Sequence, residues 1–340
     1  EFELLQSGNQ LKAVVRKAAV NERVKALSEG FVAALGLIAR GSDLVEGQGL
    51  ASATLAVARG ASLQGVNWVP FAALSANRER LESGSHVDSS GFAVVAGIAK
   101  GFTVGSVRLA IGPFFEYGHG SYDTYNSFAA SPAVHGDGRA NYAGGGALAR
   151  LELPHGPGAL HFELSGRIGR LRNEYHSADL TSLTGIAASY DYSGTYYGYH
   201  FGAGYLWRAS AKTSLDLSAK YFWTRQEGKE ATLATGEKAS FDAAESSRLR
   251  LGARLARDFS DKARVYVGAA WERELAGEAR AYYWGLPVKA PSLKGDAGIG
   301  EVGVTLSPTD GGAFSLDFGV QGYVGQRRGA TGSLRLQFEF

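Results

Sequence analysis

The ten residues Thr331–Phe340 constrain the fold more tightly than any other stretch. Leu334, Leu336, Phe338 and Phe340 fall on one face of an extended strand, and Ser333, Arg335, Gln337 and Glu339 on the other. This is strict period-two alternation, running to the final residue. A strand of a soluble sandwich shares that pattern. An aromatic final residue with no polar tail behind it, however, needs an apolar surrounding for its side chain. A closed transmembrane barrel supplies one, with lipid outside and a polar lumen within.

The alternation recurs from about Gly65 onwards, in twelve spans: 67–79, 90–101, 106–118, 140–152, 159–173, 194–208, 213–226, 240–259, 263–276, 294–306, 313–324 and 331–340. Outward sets are clearest late in the chain, as in Leu215, Leu217, Ala219, Tyr221 and Trp223, or Leu249, Leu251, Ala253 and Leu255. The phase of 67–79, 90–101 and 140–152 is ambiguous, so their faces stay unassigned. Short turns at 102–105, 153–158, 209–212, 260–262 and 307–312 rotate with longer polar links near 80–89, 119–139, 174–193, 227–239, 277–293 and 325–330. That rotation predicts an even number of strands with both barrel ends on the short-turn side. No fixed internal period marks a propeller or repeat array.

Composition agrees where it speaks. The 340 residues suffice for two soluble domains or one large barrel. Glycine is abundant at 47, proline scarce at 8, and Tyr and Phe (16 and 17) dominate the aromatics, a mix suited to closely packed strands. Trp207, Trp223, Trp271 and Tyr117 stand at or near the ends of their outward sets, where a barrel carries its aromatic girdles. The most apolar segment, Gly30–Ala39, is too short to span a bilayer as a helix. A net charge of +2 with both signs interspersed gives no basis for nucleic-acid binding. Lack of cysteine excludes disulfides and thiolate metal sites. Lack of methionine and of a signal peptide predicts a processed or excised piece of a longer product, with Glu1-Phe2 as a cloning remnant.

Ahead of the strands the pattern is helical, from about Leu11 to Arg40. Val20, Val24, Leu27, Phe31, Leu35 and Ile38 make one apolar stripe, and Arg16, Lys17, Arg23, Lys25 and Glu29 occupy the remaining surface. Asn21 reads as an N-cap. Residues 21–40 as helix measure roughly 30 Å, about the thickness of a bilayer's hydrocarbon core. Gly41-Ser-Asp ends the helix in this reading, and 49–60 is a short second helical turn or an irregular connector. The chain divides accordingly into 1–66, helix and connector, and 67–340, barrel.

A basic amphipathic helix followed by twelve strands ending in Phe resembles the translocator domain of type V autotransporters. The stretches that carry the likeness are Glu22-Arg-Val-Lys-Ala-Leu-Ser-Glu-Gly-Phe, Phe71-Ala-Ala-Leu-Ser, Gly84-Ser-His-Val-Asp, Gly91-Phe-Ala-Val-Val-Ala-Gly-Ile-Ala-Lys-Gly and Phe114-Phe-Glu-Tyr-Gly-His-Gly-Ser-Tyr. The final Phe, with Leu334, Leu336 and Phe338 before it, resembles the signature read by the bacterial outer-membrane assembly machinery. The resemblance implies an all-β fold, a twelve-stranded antiparallel transmembrane barrel with the N-terminal α-helix inside its pore, monomeric and standing in the Gram-negative outer membrane. It implies as partners the chain's own N-terminal passenger, the assembly machinery, and lipid or lipopolysaccharide. The helix would then face a lumen lined by Glu163, Asp216, Arg248, Arg250, Arg254, Glu272, Asp317, Arg335 and Glu339, charges of both signs.

Two other classes compete. A barrel hydrolase needs Ser and His facing lipid, or paired acids with His at the rim. Of seven histidines, most fall in expected loops, and only His161 and His200 point into the expected lumen. There is no GxSxG, no HExxH and no metal-ligand cluster, so no enzyme, cofactor or metal is expected. A plugged porin or solute channel has no need of a basic segment leading outwards. Some autotransporters cut their passenger at an Asn-Asn bond in the helix; this sequence has none, only Asn9-Gln10 and Asn21-Glu22. No self-cleavage of that kind is expected. Intact mass of a chain extended at its N-terminus checks this, the added residues staying attached at both Asn9 and Asn21.

Overall fold

The computed structural model describes residues 2–7, 10–15, 20–60, 68–307 and 314–338. Twelve antiparallel strands close one barrel: β1 (Val69–Glu82), β2 (His86–Val104), β3 (Val107–Asn126), β4 (Val134–His155), β5 (Gly158–Thr181) and β6 (Ala187–Arg208), then β7 (Thr213–Gln226), β8 (Ala244–Ser260), β9 (Ala263–Glu274), β10 (Gly295–Leu306), β11 (Phe314–Gly325) and β12 (Arg327–Phe338). Each pairs with the next. The circle closes where β12 meets β1, from Arg327 opposite Leu81 to Leu336 opposite Ala72. All twelve expected strands occur, in the expected order.

Polarity runs inside out along them. Leu251 and Phe318 are each 46% exposed, while inward Glu272 and Asp317 are 4% and 3% exposed. At the closing strand Leu336 is exposed and Arg335 buried, the faces expected from alternation. The side chain of Phe338 and residues Glu339 and Phe340 lie outside the described residues. No described helix is long and apolar enough to cross a membrane, which says nothing of a barrel's strands.

The connections differ from expectation at one end. Short turns stand at 105–106, 156–157, 209–212 and 261–262 as anticipated. At the other end, however, β1 and β2 are joined by only Ser83, Gly84 and Ser85, and β11 and β12 by Gln326 alone. Most of 119–139 and 174–193 is strand. Past the apolar outer band the outward residues become polar, so hydropathy stops alternating while backbone pairing continues, as in Glu174, Tyr175 and His176. The two longest links build a separate four-stranded sheet from Lys229–Thr232, Lys238–Phe241, Ala281–Tyr283 and Leu286–Pro287. Residues 240–241 therefore belong to that sheet and not to β8.

The N-terminal segment differs too. Gln10–Val15 is not helical: it pairs as a hairpin with Phe2–Ser7, as the β-branched Val14-Val15 favours. Arg16 and Lys17, expected on the helix, lie outside the described residues. Helical structure starts at Glu22–Lys25, with the Asn21 side chain accepting from the Arg23 amide at 3.0 Å as an N-cap. It continues as α1 (Ala26–Leu44), a π-helical turn (Val45–Gly49) and α2 (Leu50–Gly60). Gly41-Ser-Asp does not stop it, because Asp43 bonds to the barrel wall instead of capping the helix end.

If the outward face meets lipid, Leu251→Arg, near mid-strand, costs about 2–4 kcal/mol of folding free energy. Inward Ser218→Thr stays within about 0.5 kcal/mol. Urea titration of the protein in phospholipid vesicles measures both.

Candidate functional site in the barrel lumen

Every residue of α1 except Asp43 is buried, although the helix carries Glu29 and Arg40. A helix buried on all sides must satisfy its polar groups on whatever surrounds it. Glu29 pairs with Lys25 of the same helical segment, and the barrel wall meets the rest of the helix in two layers.

Towards the long-loop end the layer is aromatic. Phe31 stacks on Phe241 of the loop sheet at 5.1 Å between centroids and lies 5.0 Å from Tyr192. Tyr122, Tyr142, Tyr175, Tyr190 and Tyr196 complete a collar with Tyr192. Tyr142 occupies the space that a Cβ would take at Gly118 on β3, and the Tyr196 hydroxyl the space at Gly144 on β4. Filling those spaces keeps these rings against the wall and leaves the lumen wide enough for a helix. The helix reciprocates at Gly30, where a Cβ would come within 2.8 Å of the Tyr122 and Tyr190 hydroxyls.

Several wall donors reach the helix backbone itself. Tyr190 donates to the Leu27 carbonyl (2.7 Å), Asn173 to Gly30 (3.1 Å) and Gln226 to Phe31 (2.9 Å). Arg167 donates to the Ile38 carbonyl (2.6 Å) and Arg248 to Ala39 (3.0 Å). A carbonyl has two lone pairs, so each can accept from the wall as well as within the helix. Arg167 is charge-balanced by Glu116 at 2.9 Å, which also accepts from Tyr196 (2.8 Å).

Towards the short-turn end the layer is ionic. Asp43 takes Arg248 (2.8 Å), Arg250 (2.9 Å) and Arg327 (2.9 Å). Arg40 pairs with Glu79 on β1 (3.1 Å), and Glu79 also binds Arg327 on β12 (2.7 Å). Glu272 lies 2.5 Å from Arg250 and 3.3 Å from Arg248. Glu46, in the π turn, meets Lys220, which reaches Glu163 at 3.1 Å.

The expected site residues are thus partly united. Arg248 and Arg250 touch the helix directly; Glu272 and Glu163 act through those arginines and Lys220. Asp216, Arg254, Asp317 and Arg335 do line the lumen, around the π turn and α2 at Gly47, Gln48, Ala51 and Thr54. They border a water-accessible vestibule of about 730 Å³ at the short-turn end, and pair among the wall residues: Asp216 with His161, Arg254 with Glu301, Asp317 with Arg335. On the helix, Arg23 donates to the Asp179 carbonyl at the long-loop mouth (2.7 Å), and Lys25 pairs with Glu29 at 3.4 Å. Val24 and Leu27 border a cleft shared with Leu180, Leu233 and Tyr283. Sequence reasoning missed Asp43 and Glu46 because it ended the helix too early, and it left Arg40, at the end of that helix, without a role. Arg167 and Glu116 were within reach, since Arg167 shares strand parity with Glu163 and Glu116 lies between outward Phe115 and Tyr117.

His161 and His200 do face the lumen, both buried. Glu46, Glu163 and His200 bring potential ligand atoms within 4.8 Å of one another. Lys220 already stands against both carboxylates, supplying the cation that pair calls for.

Comparison with known proteins fits this architecture. The model of the autotransporter beta-domain family matches residues 68–319. The chain belongs to that family. It is accordingly an outer-membrane translocator domain, whose activity is transport and not catalysis. Three solved structures share the fold. The translocator domain of the autotransporter NalP from Neisseria meningitidis is 16% identical at a TM-score of 0.61, covering 89% of this chain and 98% of that one. The beta domain of the Bordetella autotransporter BrkA is 15% identical at 0.60, covering 81% and 100%. The transport unit of AIDA-I from Escherichia coli is 12% identical at 0.60, covering 87% and 98%. No curated protein matches the sequence.

Asp43→Ala leaves three guanidinium groups without their shared carboxylate, a loss of about 3–5 kcal/mol for a broken buried ion pair. The helix should loosen before the barrel does. Trypsin then cuts after Arg40 or Lys25 at urea concentrations where the parent resists, while the barrel remains folded by its heat-dependent gel mobility.

Proposed function

We propose that α1 marks the route by which a passenger, joined ahead of the helix, leaves through the pore and stays anchored to the membrane. In this reading residues 1–66 thread and connect, and 67–340 form the membrane anchor. The outer-membrane assembly machinery inserts the barrel, lipopolysaccharide surrounds its outer rim, and one copy suffices.

One observation carries the reading, the direction of the helix. Its N-terminal end, at Arg23 and Val24, lies against Asp179, Leu180 and Tyr283 at the long-loop end. Its continuation α2 packs on Phe71, Ala73, Val95 and Ala99 near the short-turn end, where β1 begins. Long loops face outwards in such barrels and tight turns face the periplasm. Anything upstream of Asn21 therefore emerges outside. From Glu22 to Gly49 the helical rise is about 40 Å, more than the roughly 30 Å hydrocarbon core, with the backbone's bonds met throughout.

A passive channel is the rival, and the helix speaks against it: the ionic layer and tyrosine collar close on the helix instead of leaving a lumen. Deleting residues 20–60 from a chain carrying a reporter ahead of Glu1 should leave the barrel inserted but abolish protease access to the reporter on whole cells. In planar bilayers the intact protein conducts poorly and the deletion raises conductance. Undiminished surface display without the helix, or high solute-selective conductance with it, would refute the proposal.

A further inference from the structure

We propose that an arginine cluster on the outward face of β4 and β5 is a binding site for the phosphate groups of an outer-leaflet lipid. The proposal rests on the barrel standing in an outer membrane with its long-loop end outwards.

The outward side chains of β5 change character abruptly along the strand. Leu160, Phe162, Leu164, Gly166 and Ile168 come first, with Leu164 54% and Ile168 60% exposed. Arg170 and Arg172 follow on the same face, both exposed. At about 3.3 Å per residue and a tilt near 45°, Arg170 stands about 23 Å above Leu160 along the barrel axis, close to the ~25 Å height of an outward apolar band. The arginines thus sit where lipid headgroups begin. Tyr197, Tyr199 and Trp223 form the aromatic belt just beside them, with Tyr199 stacked on Trp223 at 5.3 Å.

Neighbouring strands complete the site. Arg172 stands opposite Asn141 on β4 and Ser193 on β6, and Arg170 opposite Thr195 on β6. Arg139 on β4 lies one pair further out, opposite Glu174. Among the described residues no acidic group comes within ion-pair distance of Arg139, Arg170 or Arg172. Two other outward rim arginines differ: Arg80 is held by Asp88 (2.6 Å) and Arg225 by Glu245 (2.6 Å). Glu227 is near Arg170 but engaged elsewhere. The Thr195 hydroxyl and amide, more than the charges of Arg170 and Arg225, hold its carboxyl below the ordinary range. Three forked guanidinium groups, ringed by hydroxyl and amide donors, suit a phosphate monoester. The apolar column directly beneath suits the acyl chains of the same molecule. Free phosphate would use only the upper half of this surface.

The test compares the folded protein in detergent with an Arg139→Ser/Arg170→Ser/Arg172→Ser variant. Each is titrated with bisphosphorylated lipid A, dephosphorylated lipid A or inorganic phosphate, and lipid bound is counted by native mass spectrometry. The parent should bind the bisphosphorylated lipid, and the triple variant should lose on the order of a hundred-fold in affinity, from about fivefold per arginine. An Arg257→Ser variant, at the short-turn end, should bind as the parent does. Equal binding of dephosphorylated lipid, competition by inorganic phosphate at equal concentration, or unchanged binding by the triple variant overturns the site. Heat-dependent gel mobility reports barrel folding in every sample, so failure of the barrel reading would be seen separately.

Discussion

A barrel turned inside out has one place to hide its polar side chains, and here a helix is already in it. Everything distinctive about the lumen follows from sharing that space. The wall cannot fill its interior with water alone, nor with its own long side chains. It must meet the helix at van der Waals distance and still answer the helix's polar groups. Tyrosines packed against glycines of the wall achieve the first near the long-loop end. The arginine-rich layer around Asp43 and Glu79 achieves the second near the short-turn end.

These layers hold the helix by different means. Donation from Tyr190, Asn173, Gln226, Arg167 and Arg248 goes to carbonyl oxygens, which every residue has. Such bonds ignore side-chain identity and would hold many sequences. The pairs at Arg40, Asp43 and Glu46 do not. Sliding the helix one turn, about 5.4 Å, would separate each charge from its partner and leave the wall arginines uncompensated. Buried ion pairs add little net stability over apolar contacts of the same volume. Their effect here is to select one register, which a tube lined only with tyrosine would leave open.

Much of this was legible in the sequence. Twelve strands, their order and the outward faces of the later ones follow from alternation, because lipid outside and charge inside give it maximal contrast. Contrast fails in 67–79, 90–101 and 140–152, and the structure supplies the reason. Phe71, Ala73, Ala93, Val95, Ala99 and Leu148 face inwards onto Leu44, Val45, Leu50 and Ala53 of the helical segment, so both faces of β1, β2 and β4 are apolar there. The strand extensions past the membrane were hidden for the opposite reason, both faces being polar enough to resemble loop. Helix ends were misjudged at Leu11 and Gly41 because local turn and propensity signals were weighed without the partners that override them. The ionic layer joins residues up to 284 positions apart, as at Arg327 and Asp43, a distance across which periodicity is silent.

The position of that layer relates the helix to the closure of the barrel. The seam between β1 and β12 joins residues 248 apart at Glu79 and Arg327, the costliest kind of loop to close in chain entropy. Across it, Glu79 accepts from Arg327, from Thr331 on β12 (2.8 Å) and from Arg40 of the helix, and Arg327 turns its other nitrogen to Asp43. Two of these five groups come from α1, one from β1 and two from β12. With the seam open, Glu79 would lose Arg327 and Thr331. With the lumen empty, Arg327 would lose Asp43 and Glu79 would lose Arg40. The cluster is complete only when the chain has both closed its circle and seated its helix, so these two events are coupled through a single buried set of charges.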